Sequence, residues 1–98
     1  MYVRMYKYRI ATSHRRAWKK IADAADKIYR KHGATRSLRL AEAKGADLLI
    51  YEIAFYKSRA AYERTVRGVD NEPAIPLLFR NFQKLLKSKV AQYELRTL

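Results

Sequence analysis

Leu48–Tyr56 reads LLIYEIAFY, a stretch in which Glu52 is the one charged residue. Aromatic and β-branched side chains recur along it, so it is expected to be an extended strand. Both of its parities are apolar apart from Glu52, the pattern of a strand covered on two faces. Just upstream, Lys44-Gly45-Ala46-Asp47 has turn composition. Before that, residues 35–42 (TRSLRLAE) place Leu38 and Leu40 on one side of another strand. Residues 35–56 are therefore expected to form a β-hairpin.

Working outward, residues 1–10 (MYVRMYKYRI) alternate well enough for a strand. Ser13 is expected to cap a helix running from His14 to His32. In that helix Trp18, Ile21, Ala22, Ala25, Ile28 and Tyr29 make one apolar stripe. Asp23–Lys27 and Asp26–Arg30 are expected as i,i+4 ion pairs on the opposite, basic face. Gly33 is placed to end the helix. Downstream of the hairpin, Ser58 is expected to cap a helix that buries Tyr62, Val66 and Val69. Gly68 and residues 71–76, with Pro73 and Pro76, interrupt it; the same segment also reads as a lid over a cavity mouth. A second helical piece then presents Ile75, Leu78, Phe79, Phe82, Leu85 and Leu86, and residues 90–98 (VAQYELRTL) close the chain as a strand. The order is that of a ferredoxin-like α+β domain, βαββαβ: a four-stranded antiparallel sheet with two helices on one face. One such domain spans residues 1–98.

Composition narrows the function classes. The 98 residues hold 22 Lys and Arg against 9 Asp and Glu, a net charge of +13. Ten of the bases and two of the acids lie in residues 1–33. No cysteine is present, which excludes disulfide scaffolds, zinc ribbons, iron–sulfur sites and thiol catalysis. No apolar run reaches the roughly 18 residues of a membrane span, and no signal-peptide stretch is seen, so a cytoplasmic protein is expected. A charge-rich surface of this kind also suits a thermophile. With Gly33, Gly45 and Gly68 as the whole glycine complement, no phosphate-binding glycine loop exists. An RNA-recognition motif is disfavoured because LLIYEIAF lacks the glycines and stacking rings of such a strand.

Two helices cover one face of the sheet, and Val3, Met5, Leu38, Leu40, Leu49, Tyr51, Ile53, Phe55, Tyr93 and Leu95 are assigned to it as the more aliphatic set. The other set, with Arg4, Tyr6, Tyr8, Ser37, Arg39, Leu48, Ile50, Glu52, Tyr56, Gln92, Glu94 and Arg96, is assigned to the open face. A bulge or opposite register in the first strand would exchange its two faces. Because the open face still carries apolar groups and 98 residues offer no third layer, a homodimer packed through it is expected.

Three segments carry a resemblance: YRIATSHRRAW (8–18), FYKSRAAYERTV (55–66), and PAIPLLFRNFQKLL (73–86) leading to YELRTL (93–98). With these the chain resembles the dimeric α+β barrel superfamily, including the antibiotic-biosynthesis-monooxygenase-like and NIPSNAP-like domains. The resemblance implies a homodimer with a ligand cavity on the sheet face opposite the helices. It further implies cofactor-free oxygenation, haem breakdown, isomerisation or simple ligand binding as activities. Haem-degrading relatives need an axial histidine on the second helix, and this chain has none there.

On that enclosed face Arg4, Arg39 or Arg96 would hold an anionic ligand, Tyr6 and Tyr8 would donate hydrogen bonds, and Glu52 or Glu94 would act as base. The competing reading makes the same groups cross-sheet ion pairs. His14 and His32 lie about 27 Å apart along one helix, so neither a metal site nor a cofactor is expected. Three functions remain in view. The first is a cofactor-independent dimer binding or transforming a small anionic or aromatic molecule. The second is a nucleic-acid-binding module using Arg15, Arg16, Lys19, Lys20, Lys27, Arg30 and Lys31. The third is a filled dimer with no ligand.

Overall fold

In the computed structural model, which describes all of residues 1–98, the elements follow the expected order. They are β1 (Tyr2–Ala11), α1 (Arg15–His32), β2 (Arg36–Lys44), β3 (Asp47–Tyr56), α2 (Arg59–Asp70), α3 (Ile75–Leu85) and β4 (Ala91–Arg96). The strands form one antiparallel sheet in the order β2-β3-β1-β4. The hairpin closes through Gly45-Ala46, between the paired Lys44 and Asp47, with Gly45 at φ +63°. No helix is long and apolar enough to cross a membrane.

Local signals account for most element ends. Ser58 Oγ accepts from the Ala61 N–H at 3.1 Å, capping α2. Gly33, at φ +131°, ends α1 and donates its N–H to Arg30 O. Pro76 sits in the first turn of α3, where its missing N–H costs nothing. Ser13 is not a cap: Thr12–His14 form a 3-10 turn, and no side chain caps α1. Asp26 pairs with Arg30 at 3.2 Å as expected, but Asp23 pairs with Lys19 and Arg39 rather than Lys27. Both aspartates border the sheet rather than lying on the far side of the helix.

The sheet is oriented opposite to the expectation. Tyr8, Ile50 and Tyr56, assigned to the open face, are nearly sealed from solvent, as are Tyr2 and Ile10 of the same parity in β1. Their packing partners come from the helices: Trp18, Phe82 and Leu85 at one end, Tyr29 and Tyr62 at the other. Arg39 and Ser37 of β2 bond Asp23 and Asp26 of α1, which places the polar groups of this set under α1. The aliphatic set therefore forms the outer face, where Leu40 is 55%, Tyr93 40% and Leu95 43% exposed. The physical reason is that α1 supplies carboxylates for the polar face, so hydrophobicity alone picks the wrong side. Nine of 98 residues are buried, and the shortest extent is 18 Å, the thickness of one sheet and one helix layer.

The helices are locked where α1 ends against α2. Thr65, wholly buried in α2, has its hydroxyl 3.0 Å from His32 O and 2.8 Å from Ala61 O. His32 Nε2 lies 2.6 Å from Glu72 Oε1, which Lys31 Nζ also reaches at 2.8 Å. Lys31 and then His32 hold the Glu72 carboxyl below the usual carboxylate range. Under the imidazole lies Gly68, where a Cβ would fall on the ring. Ordinary helix propensity favours Ala over Gly by about 1 kcal/mol. Gly68→Ala is instead expected to destabilise the protein by about 1–3 kcal/mol through overpacking. His32→Ala added to Gly68→Ala should recover most of that loss in urea unfolding, whereas a loss that persists in the double variant would contradict the packing account.

Candidate functional site

The helix-covered face has two tightly packed ends and a hollow middle. One end is built on Tyr2, Ala34 and Tyr56, the other on Tyr8, Ile10 and Ile50. Between them the side chains facing each other are small: Ala22 and Ala25 on α1, and Ala54 on β3. The space they leave is a cavity of about 340 Å³, walled by Ile75, Leu78, Phe79 and Phe82 of α3 and floored by Tyr6, Glu52 and Gln92. That volume lies at the small end of known ligand pockets, about 300–1,000 Å³. The lining is mostly apolar with a few polar groups, which is how ligand sites are usually composed.

Glu52 is the distinctive polar group. Seven of the nine carboxylates form ion pairs, and only Glu52 and the exposed Asp70 do not. Tyr8 OH donates to Glu52 Oε1 at 2.7 Å, and the Trp18 indole Nε1–H donates to the Tyr8 oxygen at 2.6 Å. The Tyr8 hydroxyl thus accepts from α1 and commits its one proton to Glu52. Oε2 of Glu52 has no hydrogen-bond partner in the chain, and Glu52 lines the cavity. Burial raises the Glu52 carboxyl above its usual range, against the lowering effects of the Tyr8 hydrogen bond and the Arg39 charge. Burial, with the Glu52 charge second, pushes the Tyr8 phenol well above its ordinary value. Tyr6, raised to about 12 by burial and then by Tyr62, likewise stays neutral and able to donate.

Arg39 approaches from β2, directly opposite Glu52 in the β2–β3 register. Its guanidinium is held by Asp23 at 2.6 Å and lies 5.8 Å from the Trp18 ring centroid. Beside it Ser37 donates to Asp26 Oδ1 at 2.5 Å. Positive charge is thereby fixed at the cavity wall without being paired to Glu52.

Of the seven residues expected to bind a ligand, Tyr6, Tyr8, Arg39 and Glu52 line this one cavity. Arg4, Glu94 and Arg96 do not. They pair along β1 and β4, with Arg96 donating to Glu94 at 3.0 Å and Arg4 donating at 3.0 Å to Gln92, which itself lines the cavity. There the ion-pair reading describes the geometry. The cavity lies inside one chain, between sheet and helices, and not between two sheets as expected. Trp18, read from the sequence as plain core, proved to be part of the polar chain. The available signal was its indole N–H, which needs an acceptor once the ring is covered.

Two outcomes follow from these bonds. Because burial raises Glu52, the folded chain binds its proton more tightly than the unfolded one. Stability therefore falls as pH rises from the unfolded carboxyl value through the folded one. Glu52→Gln is expected to melt higher than the parent at about pH 7, an advantage that shrinks as pH falls into the ordinary carboxylate range. Tyr8→Phe removes a donor that favours the carboxylate, so a ¹³C carboxyl titration should show the Glu52 pKa moving further up; a downward move would contradict the assigned hydrogen bond.

No protein-family model matches the chain, and no curated sequence matches it. Solved structures do. SnoaB, a cofactor-independent oxygenase from Streptomyces nogalater, is 13% identical with a TM-score of 0.69 over 99% of this chain and 95% of its own. An uncharacterized NIPSNAP domain protein from Burkholderia xenovorans is 13% identical with a TM-score of 0.71, covering 100% and 94%. A Nitrosomonas europaea protein classed with the antibiotic biosynthesis monooxygenases is 16% identical with a TM-score of 0.70, covering 99% and 89%. At these identities the likeness establishes architecture and leaves chemistry open. The chain carries the ferredoxin-like α+β fold that these antibiotic-biosynthesis-monooxygenase-like and NIPSNAP domain structures share.

Proposed function

We propose that the cavity binds a small aromatic molecule bearing an acidic O–H or C–H group, and that Glu52 takes that proton without a cofactor. The observation that carries this reading is Glu52 in the lining of a largely apolar cavity, outside any ion pair and with only Oε1 bonded, by Tyr8. A carboxyl raised by burial lies closer to the working range of a general base. The rings of Phe79 and Phe82 suit a planar guest. Arg39 offers positive potential to the anion formed, and Tyr6 a hydrogen-bond donor. That SnoaB is a cofactor-independent oxygenase is in keeping with cofactor-free chemistry on this fold. The product anion is then protonated again or released.

The probe is 2-tetralone, an aromatic ketone with acidic C–H bonds, followed by NMR in deuterated buffer. Wild-type protein is expected to accelerate deuterium uptake, and Glu52→Gln to lose about 100-fold or more of that rate. No acceleration by wild type, or an unaffected Glu52→Gln variant, would sink the base assignment.

The reading also includes a homodimer closed through the outer sheet face, in a cytoplasmic protein. Its support is the apolar set on that face, with Leu40, Tyr93 and Leu95 open to solvent in the single chain. Patches of this kind on soluble proteins usually mark an interface. Light scattering in about 0.3 M salt, which screens charge-driven association, should give twice the 11.6 kDa of one chain. Leu40→Lys should return it to one chain's mass.

The second reading is a nucleic-acid surface on α1, favoured by Arg15, Arg16, Lys20 and Lys27, which are exposed and free of ion pairs. Lys19, Arg30 and Lys31 are already paired with Asp23, Asp26 and Glu72. Binding of this kind would weaken steeply with salt.

A further inference from the structure

We propose, resting on the reading of Glu52 as a base, that the guest of the cavity is a 1,3-dicarbonyl compound. Its acidic C–H lies over Glu52, with one oxygen toward Arg39 and the other toward Tyr6. The strand register carries this. Arg39 of β2 stands opposite Glu52 of β3, Glu52 opposite Tyr6 of β1, and Tyr6 opposite Gln92 of β4. The four make one row across the whole sheet, and all four line the cavity.

Residues directly opposed on antiparallel strands have Cβ atoms about 5 Å apart and ordinarily interact, opposite charges above all. Here no hydrogen bond or ion pair joins neighbours in the row. Three of its members are held from outside it instead: Arg39 by Asp23 at 2.6 Å, Glu52 by Tyr8 at 2.7 Å, and Gln92 by Arg4 at 3.0 Å. The row is thus fixed in place while its members stay open to a guest, which lowers the ordering cost of binding one.

The outside bonds also decide what each group has left to offer. Arg39 gives one N–H to Asp23 and keeps the rest of its guanidinium fork. Glu52 keeps Oε2 as an acceptor. Arg4 also acts on the Tyr6 hydroxyl as a donor and can accept nothing from it, so the phenol proton is left. For the same reason Arg4 takes the amide oxygen of Gln92 and leaves its N–H groups. Across the sheet the row reads donor, acceptor, donor, donor. A C–H between two carbonyls complements the first three. Glu52 Oε2 takes the proton, the C–H electron pair passes into the two C–O groups, and Arg39 and Tyr6 face the oxygens that gain the charge. Nothing is oxidised or reduced. A monoketone would leave one of those donors unpaired, and sites built to hydrogen-bond a group discriminate strongly against guests that lack it.

The experiment compares, by calorimetry, benzoylacetone with benzylacetone, which has the same carbon skeleton and one carbonyl in place of two. Wild type is expected to favour benzoylacetone by about tenfold or more. Tyr6→Phe and Arg39→Lys, each checked for folding by a thermal melt, should bring that ratio toward one. Equal binding of the two compounds by wild type, or a preference that survives both substitutions, would overturn the assignment of the row. Exchange of 2-tetralone reports on the base separately. Glu52-dependent exchange without a diketone preference leaves the base standing and strikes the dicarbonyl guest alone. A preference without exchange strikes the base, and the dicarbonyl proton transfer with it.

Discussion

A carboxylate in the middle of a central strand, under a helix layer, has to be solvated by its own protein. Tyr8 does this for Glu52 and in turn takes the indole N–H of Trp18. Two hydrogen bonds therefore tie β3, β1 and α1 together through the cavity floor. Leaving any one of these groups unpaired would incur a desolvation cost of about 1–3 kcal/mol. Arg39 pairs with Asp23 and not with Glu52. An internal Glu–Arg pair would have neutralised the floor; the observed arrangement leaves one carboxylate oxygen free and one guanidinium nearby.

The hollow itself arises from size rather than charge. Ala22, Ala25 and Ala54 meet where larger residues would close the gap, while Tyr2, Tyr56, Ile10 and Ile50 fill the two ends. Packing at the ends carries the layer contact, so the middle can stay open without the helices collapsing onto the sheet. The chain's acids are few, and four of the nine serve as fasteners: Asp23 and Asp26 hold β2, Glu72 holds the end of α1, and Asp47 holds the α3–β4 loop. Most of the remaining basic residues are left without partners, which gives the surface its strongly positive character.

Much of the architecture was legible in LLIYEIAFY and the segments around it. Period-two and period-3.6 patterns, the Gly45 turn, the Ser58 cap and the Gly33 stop are local features, and each appears where its chemistry calls for it. Tyr6, Tyr8, Arg39 and Glu52 share one parity in the sequence and line one cavity in the fold, because the antiparallel register sets their strands side by side. Arg4, Glu94 and Arg96 share their parity, but Arg4 turns to Gln92 and Glu94, and Arg96 to Glu94, a choice of side-chain partners that alternation does not record. The role of Trp18 was hidden for a related reason: a helical stripe says which way a ring points and not what its N–H meets.

By itself, then, the sequence determined the element order, the ferredoxin-like topology and the two sets of residues that share each sheet face. Those properties depend on neighbours along the chain and on the two-residue repeat of a strand. Which set lies under the helices was decided only by the tertiary structure. The aliphatic set looked like the core, but α1 brings Asp23, Asp26 and Trp18 over the polar set and satisfies it there. Burial depends on what partners a face can find across the layer, and that information is not carried by either face alone.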